Sequence, residues 1–312
     1  MINLAIVGAG QMAREHAKAF TNIDNVSLVG VAGRSKNSLK AFEAEFKIIQ
    51  VCENIRELYE TTNADLVVVA VNVEQTANVL LDCARYPWTI LVEKPLGINL
   101  AESLKLRDQL GENTRRIFVA FNRRHYSTFL KINQIIGDDS NQRIIKVIDQ
   151  EDQFAALLAR IDKLTVENWM FANSIHLIDL LRQFARGKVV EIEKKSKWKS
   201  MSNMKHQVRI KFESGDLGIY ECQWNDAGPW SVSVEAGNIS LLLKPLEKLL
   251  QISDSGEFTD ITPKSEWDLK FKPGFRRQAE MMVRQVEGKV SAVTGFNDAL
   301  TTMQLVHDIY NN

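Results

Sequence analysis

The stretch Asn3-Leu-Ala-Ile-Val-Gly-Ala-Gly-Gln-Met-Ala13 decides the fold of this 312-residue chain. Its apolar first half is typical of a buried strand, and the pattern Gly-x-Gly-x-x-Ala then opens a helical pattern that runs to Phe20. The first glycine permits a tight turn, the second lets the backbone approach a pyrophosphate, and Ala13 allows close packing of helix on strand. The alternative is a glycine-rich turn without a ligand, but the flanking strand and helix favour a dinucleotide site at the helix N-terminus. The predicted phosphate-binding residues are Gly8, Gly10, Gln11 and Met12.

Short apolar runs alternate with amphipathic stretches over residues 1–120. Each stretch is long enough for a crossover helix, and the runs lack the apolar–polar alternation of half-exposed strands. The pattern predicts an α/β fold, with a doubly wound parallel sheet of the Rossmann type in a first domain over residues 1–120. The predicted strands are Leu4–Val7, Val26–Ala32, Leu66–Val71, Ile90–Val92 and Ile117–Phe121.

The sequence pattern changes after residue 120. Alternating segments such as Gln207–Phe212 and Trp230–Val234 are typical of strands, and they are separated by Gly, Asn, Asp and Ser. A few helical stretches accompany them, so we expect residues 121–312 to form an α+β domain with a large, mostly antiparallel open sheet. The closing helix, Asn297–Tyr310, has Asn297 as its predicted N-cap, and we also consider its packing back near the first domain.

The composition argues against several classes of function. Lys plus Arg equals Asp plus Glu at 39 each, so no excess charge favours nucleic acid or an anionic membrane. The three cysteines, Cys52, Cys83 and Cys222, lack CxxC spacing, so we expect neither a disulfide framework nor a metal site. No basic leader precedes the first strand, and no apolar run approaches membrane-spanning length, so we expect a cytoplasmic protein.

The end of the second strand bears on the choice of cofactor. It is followed by Gly33-Arg34-Ser35, where NAD-preferring sites carry an acidic residue for the ribose 2′-hydroxyl. No carboxylate is present, and Arg34 with Ser35 can hold a 2′-phosphate instead, so we expect NADP(H). NAD(H) is the alternative, because Arg34 can also stack on the adenine and accept either cofactor.

The triplet Glu93-Lys94-Pro95 closes the apolar run Thr89–Val92. A lysine at the C-terminal end of a buried strand lies where open parallel sheets bind their ligands. Lys94 is therefore the leading catalytic candidate. The alternative is that Lys94 only pairs with Glu93 or reaches into solvent.

With the glycine fingerprint, the strand Val67–Val71, the Glu93-Lys94-Pro95 triplet and Phe121-Asn-Arg-Arg124, the chain resembles the glucose-fructose oxidoreductase, inositol dehydrogenase and rhizopine-catabolism family (Gfo/Idh/MocA). The resemblance covers essentially the whole chain. It implies a Rossmann domain followed by a domain whose open sheet supports substrate binding and assembly into a homodimer or homotetramer. It also implies hydride transfer between NAD(P) and a hydroxyl or carbonyl carbon of a sugar, cyclitol or nucleotide sugar.

The resemblance also implies roles for single residues. Lys94 would hydrogen-bond the reacting oxygen and take part in proton transfer. Val71, Asn72 and Glu93 would contribute to the cofactor site, with the loop at Val71 under the nicotinamide ribose. The implied substrate-binding residues are Asn122, Arg123, Trp169, Asn173 and Asp179.

The family's second motif is a histidine on a helix with an acid four residues earlier. His176 is present, but Ala172 occupies the acid position, which would lie on the same helix face. His176 would then carry the general acid–base role alone. The alternative is a core histidine that bonds a backbone carbonyl and is oriented by Asp179.

Two further functions stay open at this point. One is a redox-assisted glycosidase that oxidises and re-reduces its sugar with bound NAD. The other is a nucleotide-sensing or scaffold protein that has lost catalysis, which Ala172 favours.

Overall fold

The computed structural model describes residues 1–48, 50–137, 140–199, 205–225 and 228–311. The chain divides into two compact units, and neither unit is one continuous stretch. The first unit comprises Met1–His125 and Glu266–Thr301, and the second comprises Tyr126–Ser265 and Thr302–Asn312. The single boundary predicted at residue 120 therefore differs from the observed division, because a late segment returns to the first unit.

The strands, numbered in chain order, are β1 Ile2–Val7, β2 Val26–Ala32, β3 Gln50–Cys52, β4 Leu66–Val69, β5 Thr89–Val92, β6 Ile117–Val119, β7 Arg143–Asp149, β8 Val189–Lys194, β9 Lys205–Phe212, β10 Leu217–Gln223, β11 Ser231–Ala236, β12 Ile239–Leu243, β13 Leu249–Ile252, β14 Phe258–Asp260 and β15 Thr294–Gly295. The α-helices are α1 Gln11–Thr21, α2 Lys36–Phe46, α3 Ile55–Thr61, α4 Val73–Cys83, α5 Leu100–Leu110, α6 Ser127–Ile136, α7 Gln153–Leu158, α8 Lys163–Glu167, α9 Ile175–Phe184, α10 Glu266–Lys270, α11 Phe275–Val286 and α12 Phe296–Tyr310. Short 3₁₀ turns lie at Gly111–Arg116 and Asn122–His125, and a π-helical turn lies at Met170–Ser174.

The first unit is built on a seven-stranded sheet with the order β15-β6-β5-β4-β1-β2-β3. Strands β1 to β6 pair in parallel, and β15 joins the β6 edge in the antiparallel sense. The strand order reverses next to β1, and ligands bind at such a switch point, beyond the carboxyl ends of the strands. The predicted Rossmann-type sheet is confirmed.

Helix α11 explains why the late segment belongs to the first unit. It packs against α1, and Phe275 and Met282 are buried in the same apolar core as Phe20 and Ile6. Burying these side chains contributes roughly 2 kcal/mol for each large apolar residue. The amphipathic pattern of α11 predicts a helix but does not say which apolar surface it covers.

The second unit contains an eight-stranded sheet with the order β14-β13-β12-β11-β7-β10-β9-β8. All neighbours are antiparallel except β7 and β10, which pair in parallel. This confirms the predicted open, mostly antiparallel sheet. Helix α9 packs on β7, β10 and β11, and the approach is so close that a Cβ at Gly218 would lie 2.7 Å from Leu181 Cδ2. Tight packing on the sheet therefore fixes the helix that carries His176.

Among the residues that the structure describes, no helix combines the length and the apolar character needed to cross a lipid bilayer.

Candidate active site

A cleft of about 610 Å³ opens in the first unit, beyond the carboxyl ends of β1, β2 and β4. It follows the turn after β1, the segment after β2 and the start of α4. The predicted cofactor residues that line it are Gly8, Gly10, Arg34, Ser35, Val71 and Asn72. Gln11 and Met12 instead form the first turn of α1, behind the glycine turn.

The two glycines meet different constraints. Gly8 has a φ of +111°, and a Cβ at this position would lie 2.1 Å from the carbonyl oxygen of Ala70. The backbone N–H of Gly8 donates to the carbonyl of Ala32 at 2.8 Å, which holds the turn against β2. Gly10 has an ordinary φ of −80°, and its missing Cβ faces no described atom within 4 Å. Only glycine fits the turn at Gly8, whereas Gly10 keeps the space in front of α1 open.

The N-terminus of α1 has the properties of an anion site. Within the described part of the chain, no side chain caps it, and its first turn holds no acidic residue. Its first N–H groups are therefore available to a ligand, and the helix dipole favours a negative charge there. The open helix end and the cleft fit the pyrophosphate of a dinucleotide.

The far end of the cleft contains Arg34, Ser35 and Ser38. Ser35 caps α2, and its hydroxyl oxygen lies 3.0 Å from that of Ser38. Glu53 also lines the cleft but pairs with Lys36 at 3.3 Å. Arg34 has no carboxylate partner among the described residues, so its charge is available to an anionic ligand. Ser38 was missed from sequence, although its place one turn after Ser35 on α2 was a signal.

Lys94 follows the fully buried end of β5 and is itself half-buried. The N–H of Glu93 donates to Val69 at 2.9 Å, which continues the parallel pairing with β4 up to the lysine. The Lys94–Pro95 peptide bond is cis. Lys94 therefore lies at the same carboxyl edge of the sheet as the glycine turn.

Glu93 does not line the cleft, and its carboxylate is bonded to a histidine. The distance from His16 Nε2 to Glu93 Oε1 is 2.8 Å. His16 is 1% exposed, and its ring packs against Phe275 with the centroids 4.6 Å apart. The sequence gives no partner for His16, and its only signal is a polar residue on the buried face of α1. Glu93 is thus tied to α1, the helix whose N-terminus faces the cleft.

The 3₁₀ turn Asn122–His125, which follows β6, contains the predicted substrate residues Asn122 and Arg123. Asn122 is buried, and its amide donates to the carbonyl of Pro273 at 3.0 Å. The guanidinium of Arg124 bonds Asp298 at 2.5 Å and lies over the ring of Phe121. Arg123 is half-buried. Asn122, which the resemblance assigns to the substrate site, therefore has a backbone partner, and Arg124 forms an ion pair within the first unit.

In the second unit, His176 lies in the first turn of α9 and is 4% exposed. The π-helical turn Met170–Ser174 precedes it, and the N–H of Ile175 donates to the carbonyl of Met170, five residues back. In a regular α-helix, side chains four residues apart lie on one face. The five-residue hydrogen bond changes this geometry between Ala172 and His176.

Asp179 is buried and has polar partners within the second unit. It is 1% exposed, and its carboxylate accepts a hydrogen bond from the hydroxyl of Thr302 at 2.8 Å. Arg182 Nη2 lies 3.9 Å from the same carboxylate oxygen. Asp179 is therefore left out of the proposed substrate site.

A carboxylate that the sequence analysis missed brings Trp169 and Asn173 together. The indole N–H of Trp169 donates to Glu151 Oε2 at 2.8 Å, and the amide nitrogen of Asn173 is 2.9 Å from both oxygens of Glu151. Glu151 is 6% exposed. The only signal in the sequence was its position just after β7, at the carboxyl end of a central strand.

A second buried carboxyl group, Asp149, ends β7. It is completely buried and accepts a hydrogen bond from the hydroxyl of Tyr220, which lies 2.5 Å from the hydroxyl of Tyr310. Burial raises the pKa of Asp149 from 3.8 to about 6, although hydrogen bonds from Ser174 and Tyr220 oppose the shift.

Because the pKa of Asp149 is raised, the effect of Asp149→Asn on the free energy of unfolding should depend on pH. The folded-state pKa lies above the unfolded one, so the native state binds the proton more tightly and loses stability as pH rises from about 4 to about 6. The neutral asparagine has no such loss. We expect the stability of the variant relative to wild type to rise by about 2–3 kcal/mol between pH 4 and 7.

Urea unfolding of both proteins at several pH values measures this difference. Asp24→Asn, at an exposed carboxylate, is the control and should show no comparable trend. If the difference in unfolding free energy between Asp149→Asn and wild type stays constant with pH, the raised pKa of Asp149 is contradicted.

Among the described residues, no cluster of three or more His, Cys, Asp or Glu side chains is arranged to hold a metal ion.

Comparisons with known proteins indicate the family of the first part of the chain. Residues 2–121 match the Gfo/Idh/MocA family, described as an oxidoreductase family with an NAD-binding Rossmann fold. The chain is 22% identical over 232 residues to the myo-inositol 2-dehydrogenase of Thermotoga maritima, which covers 70% of this chain and 68% of that protein.

Solved structures extend the likeness in fold to almost the whole chain. A dehydrogenase from Chromobacterium violaceum matches with a TM-score of 0.83 at 15% identity, covering 99% of this chain and 94% of that one. The UDP-N-acetylglucosamine 3-dehydrogenase of Acidithiobacillus ferrooxidans matches with a TM-score of 0.78 at 11% identity, covering 99% and 96%. The resemblance seen in the sequence is confirmed: residues 2–121 match the Gfo/Idh/MocA family of oxidoreductases, and an inositol dehydrogenase is among the relatives.

Proposed function

We propose that this protein is an NAD(P)-dependent dehydrogenase or reductase that acts on a hydroxyl or carbonyl carbon of a sugar, cyclitol or nucleotide sugar. The observation that carries the proposal is the half-buried Lys94 at the carboxyl edge of the sheet whose glycine turn opens the cleft. The match of residues 2–121 to an oxidoreductase family supports the reaction class. The similarity to an inositol dehydrogenase supports the class of substrate.

The chemistry divides between cofactor and protein. When bound, the nicotinamide accepts or supplies the hydride. The N–H groups after Gly10 would hold the pyrophosphate, and Val71 and Asn72 would lie beside the nicotinamide ribose. Lys94 donates a hydrogen bond to the substrate oxygen, and its positive charge stabilises the alkoxide-like transition state. In the oxidation direction the hydroxyl proton leaves to a base, and His176 is the proposed acceptor.

The proposed cofactor preference is for NADP(H). Arg34, which has no carboxylate partner among the described residues, would bind the 2′-phosphate together with the hydroxyls of Ser35 and Ser38. NADH lacks this phosphate, so its binding does not depend on the contact.

Arg34→Ala should therefore raise the KM for NADPH by roughly tenfold or more, because a charge-assisted bond to phosphate contributes about 1.5–3 kcal/mol. The KM for NADH should change less than about threefold. Arg115→Ala, at an arginine that is 81% exposed and outside the cleft, is the matched control. An unchanged KM for NADPH in Arg34→Ala would contradict the phosphate role.

The test of the proposed function is a screen for cofactor reduction. Sugars, cyclitols and nucleotide sugars are incubated with NADP or NAD, and absorbance at the nicotinamide band is followed. At least one compound should give turnover that depends on enzyme concentration. Cofactor binding without turnover of any compound would favour a sensor or scaffold, and product without net cofactor reduction would favour a redox-assisted glycosidase.

The sensor alternative rests on Ala172, which occupies the position of the lost acid four residues before His176. The hydrogen bond from Ile175 to Met170 spans five residues, so the backbone between these two positions is not a regular α-helix.

We also propose a homodimer or homotetramer that forms through the second unit's sheet. On the face of β7 and β10 opposite α9, apolar side chains are partly exposed, namely Ile144, Ile148, Leu217 and Ile219. Sedimentation velocity measures the state of assembly. A cytoplasmic location is likewise a proposal, supported by three free cysteines, which suit a reducing compartment.

A further inference from the structure

The backbone between α8 and α9 leaves two side chains partly exposed, and both contact one buried carboxyl group. Of the residues from Trp169 to Ser174, Trp169 and Asn173 are partly exposed, and the other four are buried. Both exposed side chains bond the same carboxylate, that of Glu151, through three contacts of 2.8 to 2.9 Å. A buried carboxyl group thus fixes the two side chains of this turn that a ligand can reach.

Trp169 and Asn173 both donate to Glu151, and this determines which of their atoms remain for a ligand. The amide nitrogen of Asn173 faces Glu151, so its Oδ1 faces away from that side chain. The indole of Trp169 is held by its N–H, which leaves its ring as an apolar surface. An acceptor oxygen beside an aromatic ring suits a ligand with hydroxyl groups on an apolar ring face, as in a sugar or cyclitol.

Packing alone does not account for Glu151. Burying a carboxylate is costly unless hydrogen bonds compensate, and an apolar side chain would hold the turn without that cost. The neighbouring Asp149 is also buried, and a hydrogen bond with Glu151 lowers the pKa of Asp149 against the raising effect of burial. The turn itself is π-helical, a rare geometry that occurs often at functional sites.

We propose that Glu151 is a positioning residue of the substrate site, which acts by orienting the Asn173 amide oxygen and the Trp169 ring toward a polyhydroxylated substrate. The inference rests on the proposed function, because it assigns these residues to the substrate of that same reaction. Glu151 does not contact the reacting atoms in this scheme, so its effect is on substrate binding.

The test uses the variant Glu151→Gln and a compensating partner. Glutamine has the same shape, and its amide oxygen still accepts a hydrogen bond from the indole N–H of Trp169. Its amide nitrogen would then face the amide nitrogen of Asn173, and because two donors cannot bond each other, we expect the Asn173 amide to rotate and exchange its oxygen and nitrogen. We expect the KM for the best substrate of the screen to rise by about tenfold or more, with the cofactor dissociation constant unchanged. In Glu151→Gln/Asn173→Asp the new carboxylate accepts from the glutamine and also presents an oxygen outward, so the KM should recover to within about threefold of wild type.

Asn173→Ala provides a second measurement if Glu151→Gln fails to fold, and it should raise the KM by a similar factor. The KM of active protein, normalised by titration of cofactor sites, separates positioning from loss of folded enzyme. A wild-type KM in Glu151→Gln, or no recovery in the double variant, overturns the inference alone. No turnover by the wild-type enzyme on any compound overturns the proposed function as well.

Discussion

Replacing Lys94 with methionine should lower kcat by about a thousandfold while the cofactor dissociation constant changes less than about threefold. Methionine keeps most of the side-chain length but removes the ammonium group that would stabilise charge on the reacting oxygen. In the proposed scheme the cleft of the first unit binds the cofactor through the glycine turn and the segment after β2, and Lys94 is not among the described residues that line this cleft. Catalysis and cofactor binding should therefore separate in this variant.

Steady-state kinetics with the best substrate and calorimetric titration of NADPH measure the two effects. Lys105→Met, at an exposed lysine of α5, is the matched control and should behave as wild type. A kcat within about tenfold of wild type in Lys94→Met would contradict the catalytic role, because loss of a group in direct contact with the reacting oxygen costs about a hundredfold or more.

Alanine at Gly8 and alanine at Gly10 should have different consequences. In Gly8→Ala the new Cβ would lie 2.1 Å from the carbonyl oxygen of Ala70, at a φ of +111°. The turn must rearrange, so we expect stability to fall by roughly 3 kcal/mol and cofactor binding to be lost. In Gly10→Ala no described atom lies within 4 Å of the new Cβ, so the protein should fold as wild type. Its methyl group occupies the approach of the pyrophosphate, and cofactor affinity should fall about a hundredfold.

Urea unfolding and calorimetric titration of the cofactor test both glycine variants together. The pair separates the two roles, because each glycine serves as the control for the other. Equal cofactor affinity in Gly10→Ala and wild type would mean that the pyrophosphate does not lie against this turn. Wild-type stability in Gly8→Ala would contradict the observed turn geometry.

The sequence predicts the sheet of the first unit well, because its signals are local. Strands buried on both faces read as continuous apolar runs, and the glycine fingerprint places the turn after β1. The return of α11 to the first unit was not predictable in this way. Its apolar stripe fits any apolar surface, and only the packing of Phe275 and Met282 against the core of α1 decides between them.

The same distinction applies to the candidate site. Arg34 and Lys94 follow the ends of recognisable strands, so their positions could be predicted. The contacts of Glu151 and of His16 join residues that are distant in sequence, and residue type alone gave no partner for either. In the π-helical turn before His176 the backbone hydrogen bond spans five residues instead of four. No residue type in Met170–Ser174 predicts this change.

The central claim is that a hydride moves between the substrate carbon and the nicotinamide. The most direct measurement uses the best substrate of the screen, deuterated at the reacting carbon, with oxidised cofactor and mass spectrometry of the reduced cofactor. We predict that the reduced cofactor carries one deuterium and that its formation is slowed in Lys94→Met. Product formed while the reduced cofactor carries no deuterium would contradict the claim.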